Sequence, residues 1–213
     1  MEQEANDLQS IRNRILEISY KHKLSHIASC LTQVEILYSI YKHKKRDDIV
    51  ILSAGHSGVA LYCVLEHFYG FSAENLFKDH GVHPNRDKDR GIFASSGSLG
   101  HGIGIAVGAA FAYPNRKISV ISTDGEMAEG SCWESLRIAD ELNLKNFHLY
   151  INANGYSGYS ATNTDSLIKS LNGFIENIRS QIMVIKTSCT IPFLEGLTGH
   201  YAVMSEEQYK SIC

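Results

Sequence analysis

Short apolar segments alternate along this chain with longer segments of helical periodicity, and that alternation limits the folds open to it. Asp48–Ser53, Lys117–Ser122 and Phe147–Ile151 are predicted strands, and a last strand is plausible at Gln181–Lys186. Strands separated by helices favour a parallel sheet that is covered by helices on both faces. The predicted class is therefore α/β, with any ligand at the carboxyl ends of the strands.

Helical spacing of apolar residues predicts two helices before the first strand and three more between the first three strands. One predicted helix carries small residues at Gly104, Gly108 and Ala112, four positions apart, so a second backbone can approach that face closely. Either tight packing within the domain or a subunit interface would use such a face. Residues 74–90 are expected to be irregular, and residues 166–180 are expected to form one short connection. The predicted helices are Asn6–Tyr20, Ser29–Tyr41, Val59–Phe68, Ile103–Tyr113 and Cys132–Leu142.

Length, charge and cysteine content exclude several classes of protein. A chain of 213 residues with a net charge of −3 fits a single domain and has no basic stripe, so we expect no nucleic-acid partner. Its apolar stretches are too short for a bilayer span, and its polar N-terminus does not resemble a signal peptide. Five cysteines without a CxxC pair predict neither disulfides nor a zinc site, but buried thiols in a reducing cytoplasm.

Polar residues follow two of the predicted strands at the points where ligands of such sheets bind. Asp124 and Gly125 come directly after one strand, and Asn152 and Asn154 follow the next, with Asn154 lying 30 residues after Asp124. A carboxylate and amide oxygens suit a Mg²⁺ ion whose other ligands are phosphate oxygens, and the glycine lets backbone N–H groups approach a phosphate. The alternative is that these residues only form turns.

The segment from Thr123 to Gly158 resembles the thiamine-diphosphate signature of transketolases, and the resemblance extends over residues 8–165. It implies the diphosphate-binding fold of that family, with Mg²⁺ (or Ca²⁺) held by Asp124, Asn154 and the backbone carbonyl of Tyr156. It also implies that Gly125 touches the diphosphate. Thr123 stands where the family has a glycine, so its role is not carried over.

Further motifs of the family occur in the same order along the chain. The resemblance implies that His26 and His83 face substrate, that His56 contacts the diphosphate, and that Gly97 and Leu99 lie along the cofactor rings. It implies that Glu129 lies near a dimer interface and communicates with the catalytic acid of a partner. His101 and His200 receive no assigned role. The other five histidines match no motif and are expected in the core or on the surface: His22, His43, His67, His80 and His148.

Transketolases need further domains, and the resemblance reaches only the first. The whole chain, residues 1–213, is therefore expected to be one diphosphate- and metal-binding domain. A partner chain is expected to supply the pyrimidine-binding and C-terminal domains and the glutamate that activates the cofactor, in a two-fold heterotetramer. The implied activity is transfer of a two-carbon ketol unit between sugars or sugar phosphates. The alternatives are half of a deoxyxylulose-phosphate synthase or a 2-oxoacid decarboxylase, or a non-catalytic regulatory or scaffold subunit.

Overall fold

The computed structural model describes residues 2–212 and has a central sheet of four strands. The strands are β1 (Ile49–Leu52), β2 (Ile118–Thr123), β3 (Phe147–Ala153) and β4 (Ile182–Lys186). The helices are α1 (Glu2–Lys21), α2 (Ile27–His43), α3 (Gly58–Tyr69), α4 (Ala73–His80), α5 (His101–Ala112), α6 (Gly130–Glu141), α7 (Thr164–Phe174), α8 (Gly196–His200) and α9 (Glu206–Ile212).

All three strand pairings in the sheet are parallel, and the order β1-β2-β3-β4 follows the chain. Side chains of a strand point alternately to opposite faces of the sheet. The buried apolar residues accordingly form two hydrophobic cores, one on each face. Val50 and Leu52 pack with α1, α2 and α3, whereas Ile49 and Ile51 pack with α5 and α6. The sheet is thus covered by helices on both faces, which confirms the predicted α/β class.

Two segments differ from the sequence prediction. Residues 73–80 form α4, where Ser72 caps the helix by accepting a hydrogen bond from the Asn75 N–H at 3.3 Å and Leu76 is buried. The expected short connection contains α7, which Asn163 caps by accepting from the Ser166 N–H at 2.9 Å. Both helices are short, so their apolar periodicity is too brief to be recognised in the sequence. A capping side chain and one buried leucine stabilise each of them.

The small-residue face of α5 is largely exposed, although Gly104 approaches α6, where an added Cβ would lie 3.3 Å from Ser135 Oγ. Gly104, Gly108 and Ala112 are exposed, as are Ile105 and Phe111 on the same helix. A side chain added at Gly108 would meet no atom within 4 Å. Of the two interpretations of the sequence, the observed exposure therefore favours an interface with another chain over tight internal packing.

The described residues also test the expectations about cysteines and membranes. Cys30, Cys63 and Cys132 are buried free thiols and Cys189 is half-buried, while Cys213 lies outside the described residues. Burial raises the pKa of the Cys30 and Cys132 thiols to about 12, which keeps them protonated and unreactive. Among residues 2–212, no helix combines the length and the apolar character needed to cross a bilayer.

Candidate active site

The candidate site lies at the edge of the sheet where β1, β2 and β3 end. Asp124 follows β2, and Asn154 follows β3, the neighbouring strand. Parallel pairing of these strands brings the two turns together, as the sequence spacing predicts. The contact is direct, because Asp124 Oδ2 accepts a hydrogen bond from the Gly155 N–H at 2.9 Å.

Asp124 is a carboxylate held in place by the surrounding turns. It is only 5% exposed. Besides the Gly155 bond, its Oδ2 accepts from the Thr162 hydroxyl, and its Oδ1 accepts from the Gly125 N–H at 3.1 Å. Oδ1 therefore has one protein donor and retains capacity for a further partner, whereas Oδ2 already has two. Such a carboxylate is oriented before any ligand arrives.

Two further oxygen atoms that could bind a cation belong to the neighbouring turn after β3. The Asn154 side-chain oxygen accepts from the Tyr156 N–H at 3.0 Å, which fixes its direction. A Cβ atom on Gly125 would lie 3.2 Å from the Tyr156 carbonyl oxygen, so this carbonyl is adjacent to the turn after β2. The described residues contain no cluster of three or more His, Cys, Asp and Glu side chains that could hold a metal. The donors present are hard oxygens, which fit Mg²⁺ or Ca²⁺ with phosphate oxygens as the remaining ligands.

Asn152, the other asparagine of the pair, is not part of this oxygen shell. Strand β3 continues to Ala153, two residues beyond the predicted strand end, so Asn152 lies within the strand. Its amide nitrogen donates to the Thr32 hydroxyl at 3.0 Å, and its oxygen accepts from Thr187. It is fully buried and joins the sheet to α2. The expectation that both amides would surround the metal is wrong.

Three histidines from distant parts of the chain meet beside these turns. His26 precedes α2 in a left-handed conformation with φ of 60°. The His26 ring nitrogen Nδ1 lies 3.1 Å from His200 Nε2. The backbone N–H of His26 donates to the backbone carbonyl of His200 at 3.0 Å. The His26 and His56 ring centroids are 5.5 Å apart. The structure therefore brings two predicted histidines together and adds His200, whose role the sequence leaves open.

Burial keeps these histidines neutral. Removal from water, together with the positive charges that His26, His200 and His83 can carry, lowers the pKa of His56 to about 3. Burial, together with His200 and His83, lowers the pKa of His26 to about 4. Burial also lowers the pKa of His200. At neutral pH each ring therefore has one nitrogen that can accept a proton or hydrogen bond.

A loop before α5 forms another wall of the site. Gly97 lies against His83, since a Cβ on this glycine would be 3.0 Å from the imidazole ring. Leu99 is 39% exposed and faces the same space. The walls enclose a cavity of about 220 Å³ whose lining includes His26, His56 and His83. Its other lining residues are Ser29, Gly97, Leu99, Thr123, Gly125, Asn154, Tyr156, Ser157, Gly158, His200 and Tyr201.

The structure thus collects almost every site residue that the sequence predicts. Asp124 lies directly behind the cavity wall through its bonds to Gly125 and Gly155. Glu129 is the exception: it is exposed, does not line the cavity and lies beside the loop before α5.

Thr162 and Tyr201 are among the residues of the site that the sequence does not predict, and no local signal marks them. Thr162 donates to the Asp124 carboxylate from the loop before α7. Tyr201 donates to the Gly158 carbonyl at 2.7 Å and stacks edge-on against His26 and His200. Both act through contacts between segments that are far apart in the chain.

Comparison with known proteins agrees with this geometry. Residues 23–166 match the family described as "Transketolase, thiamine diphosphate binding domain". The chain belongs to this family. The matched region contains every predicted site residue, from His26 to Tyr156, but not His200 or Tyr201.

Curated relatives are matched over only part of their own length. Two of them, each named as one subunit of an apulose-4-phosphate transketolase, are 33% identical to this chain. The one from Phocaeicola vulgatus is matched over 72% of this chain and 62% of its own, and the one from Actinobacillus succinogenes over 64% and 57%. The chain thus spans about three fifths of the length of these relatives.

A solved structure supports the fold. The crystal structure of transketolase from Campylobacter jejuni superposes with a TM-score of 0.74 at 21% identity. The match covers 96% of this chain and 40% of that one. Nearly all of the chain therefore corresponds to one part of a longer transketolase.

Proposed function

We propose that this chain is the diphosphate-binding subunit of a split transketolase-like enzyme. It would bind thiamine diphosphate with Mg²⁺ (or Ca²⁺) and take part in transferring a two-carbon ketol unit between sugars or sugar phosphates. One observation carries the proposal: the oriented Asp124 carboxylate is bonded to the turn that carries Asn154, beside a cavity lined by four histidines. Family membership supports the choice of cofactor.

Each side of the cavity has a separate proposed role. Asp124, Asn154 and the Tyr156 carbonyl would hold the metal, and Gly125 and His56 would contact the diphosphate. Gly97 and Leu99, on the loop before α5, would lie against the cofactor rings. Bound thiamine diphosphate supplies an electron sink for cleaving and forming carbon–carbon bonds.

The residues facing substrate would orient hydroxyl groups and move protons. Low pKa values leave the rings of His26 and His200 neutral at pH 7. Because the two rings share one hydrogen bond, only the ring that donates in it keeps a free nitrogen that can accept a proton from a sugar hydroxyl. The bond between His26 Nδ1 and His200 Nε2 requires one ring to donate and the other to accept, which fixes complementary tautomers. His83 would contribute from another wall.

A partner chain would complete the active site. The names of the two apulose-4-phosphate transketolase relatives, each given as one subunit, support a second chain. Here it would carry pyrimidine-binding and C-terminal domains with the activating glutamate. The exposed face of α5 and the exposed Glu129 would contact it, in a two-fold heterotetramer in the cytoplasm. A Gly108→Leu change should then prevent assembly without unfolding the free chain, because this position is exposed and a Cβ added there would meet no atom of another segment within 4 Å.

Two other assignments remain as alternatives. Half of a deoxyxylulose-phosphate synthase or of a 2-oxoacid decarboxylase would use the same cofactor. A non-catalytic regulatory or scaffold subunit would need only the fold. The oriented carboxylate and the buried histidine cluster count against that role, because a scaffold gains nothing from burying imidazoles whose charged forms are destabilised.

The direct experiment is reconstitution of activity. The full chain is assayed for ketol transfer with thiamine diphosphate and Mg²⁺, alone and mixed with its cognate partner. We expect transfer only in the mixture, and none with the Gly108→Leu chain. Ketol transfer by the single chain, with the partner shown absent by mass spectrometry, would contradict the proposed division between subunits. Cofactor binding without any transfer to sugars would favour one of the alternatives.

Kinetics can then separate the roles of two histidines. His56→Ala should weaken thiamine-diphosphate affinity, while His83→Ala should lower turnover more than affinity. The roles are separated if, for each variant, the change in turnover and the change in cofactor affinity differ by roughly tenfold, or about 1.4 kcal/mol. Equal effects of both variants on binding and on rate would refute the assigned roles.

A further inference from the structure

Glu126 is a buried acid that the proposed chemistry does not use. It lies in the turn after β2, two positions beyond Asp124, and is only 1% exposed. Among the described residues, no Lys, Arg or His side chain forms an ion pair with it. Burying a carboxylate without a cation is costly unless hydrogen bonds compensate for the lost water. Its position therefore needs a structural reason.

Three donors from three different segments supply that compensation. Glu126 Oε1 accepts from the Ser53 hydroxyl at 2.6 Å and from the Gly100 N–H at 2.8 Å. Its Oε2 accepts from the Ser122 hydroxyl at 2.6 Å. Ser53 follows β1, Ser122 lies in β2, and Gly100 ends the loop that precedes α5. One carboxylate thus joins two strand ends to that loop.

The loop is held tightly at the same point. Gly100 has φ of 85°, and a Cβ there would lie 2.2 Å from Ser131 Oγ and 3.1 Å from Glu129 Cβ. Gly100 is also the N-cap residue of α5, and as a glycine it has no side chain that could cap the helix. The Glu126 carboxylate beside this N-terminus interacts favourably with the helix dipole and takes one of its free N–H groups.

The held loop is the wall of the cavity that carries Gly97 and Leu99. Gly97 lies against His83, so displacement of the loop would also move the surface on which this imidazole rests. Glu126 itself does not line the cavity. It can therefore act on bound molecules only indirectly, through the segments that it holds, and of these the loop before α5 is the one that carries Gly97 and Leu99.

We propose that Glu126 is a positioning residue that fixes the loop from Gly97 to Gly100 and thereby places Leu99 against the ring portion of the cofactor. This inference rests on the proposed function. It gives the two acids different roles: Asp124 would determine affinity for the diphosphate, and Glu126 would determine affinity for the rings of the cofactor.

The test compares two probes on the full chain assembled with its partner. Calorimetry measures the affinity for thiamine diphosphate and for pyrophosphate, each with Mg²⁺, and hydrogen exchange follows the amides of residues 97–102. Glu126→Ala should lower thiamine-diphosphate affinity by roughly tenfold or more, change pyrophosphate affinity by less than about threefold, and speed exchange in the loop. Glu126→Gln should restore most of the affinity, because its amide oxygen can still accept from Gly100 and Ser53.

A control variant and a replacement variant separate the proposed role of Glu126 from general effects of removing an acid or of misfolding. Glu134→Ala, an exposed acid on α6, should change neither affinity nor loop exchange. If Glu126→Ala loses its native circular dichroism, Glu126→Asp replaces it, since a carboxylate shortened by one methylene cannot reach all three donors. Equal losses for both probes, unchanged loop exchange, or a Gln variant as impaired as Ala would overturn the inference. Absence of thiamine-diphosphate binding by the unmodified assembly would instead refute the proposed function.

Discussion

Acid should destabilise this protein through its buried histidines, and His56 gives the sharpest test. Burial lowers the pKa of this imidazole to about 3, from a value near 6.5 in the unfolded chain. Between these values the unfolded chain binds a proton that the folded chain excludes. The free energy of unfolding must therefore fall as the pH falls from 6.5 towards 3.

The size of the effect at pH 5 follows from the unfolded state. There an ordinary histidine is about 97% protonated, and excluding that proton costs the folded state about 2 kcal/mol. This figure changes little if the folded pKa is 3 or 4, because both lie well below pH 5. His26 acts in the same direction, so His56→Gln should remove only part of the total pH dependence.

Urea denaturation followed by circular dichroism at pH 7, 6 and 5 measures the effect. The stability of the unchanged chain should decrease relative to His56→Gln by about 2 kcal/mol between pH 7 and 5, a relative shift of roughly 1 M in the urea midpoint. Ser57→Ala is the control, because loss of its bond to Gln33 should lower stability equally at each pH. A difference between wild type and His56→Gln that does not vary with pH would mean that burial does not depress the His56 pKa.

Three further substitutions test packing, each by urea denaturation. Gly102→Ala should destabilise the chain by about 1–3 kcal/mol, because the added Cβ would lie 2.6 Å from the Ser53 Cα atom. Gly108→Ala should stabilise the free chain by about 0.5–1 kcal/mol, because it improves helix propensity in open space. Ser72→Ala should cost about 1 kcal/mol through loss of the α4 cap. Similar effects of both glycine changes, or no effect at Ser72, would contradict these contacts.

Much of the fold could be predicted because the chain encodes it locally. The strands are short apolar runs, and turns with Asp124 and Asn154 follow two of them. Parallel topology then brings those turns to one edge without further information. The predicted end of β3 lies two residues too early, and this misplaces Asn152, since the longer strand directs its side chain towards Thr32.

Other parts of the site depend on contacts that no local pattern reveals. His200 meets His26 across 174 residues of chain, and its position follows from the packing of α8 against α2. Glu126 resembles an ordinary residue of an acidic turn, and only the three-dimensional structure shows Ser53, Ser122 and Gly100 converging on it. Long-range polar contacts of this kind carry no sequence periodicity.

Metal-dependent binding of thiamine diphosphate decides whether the site has the proposed role, and calorimetry on the full chain assembled with its partner measures it. The unmodified assembly should bind the cofactor with Mg²⁺ and far more weakly with a chelator present. Asp124→Ala should abolish this binding while the fold survives, since the metal loses its only protein carboxylate, and Asn154→Ala should weaken it less. Asp165→Ala, which breaks only an exposed pair with Lys186, should have no effect. Cofactor affinity that is the same with and without Asp124 would contradict the proposed metal site.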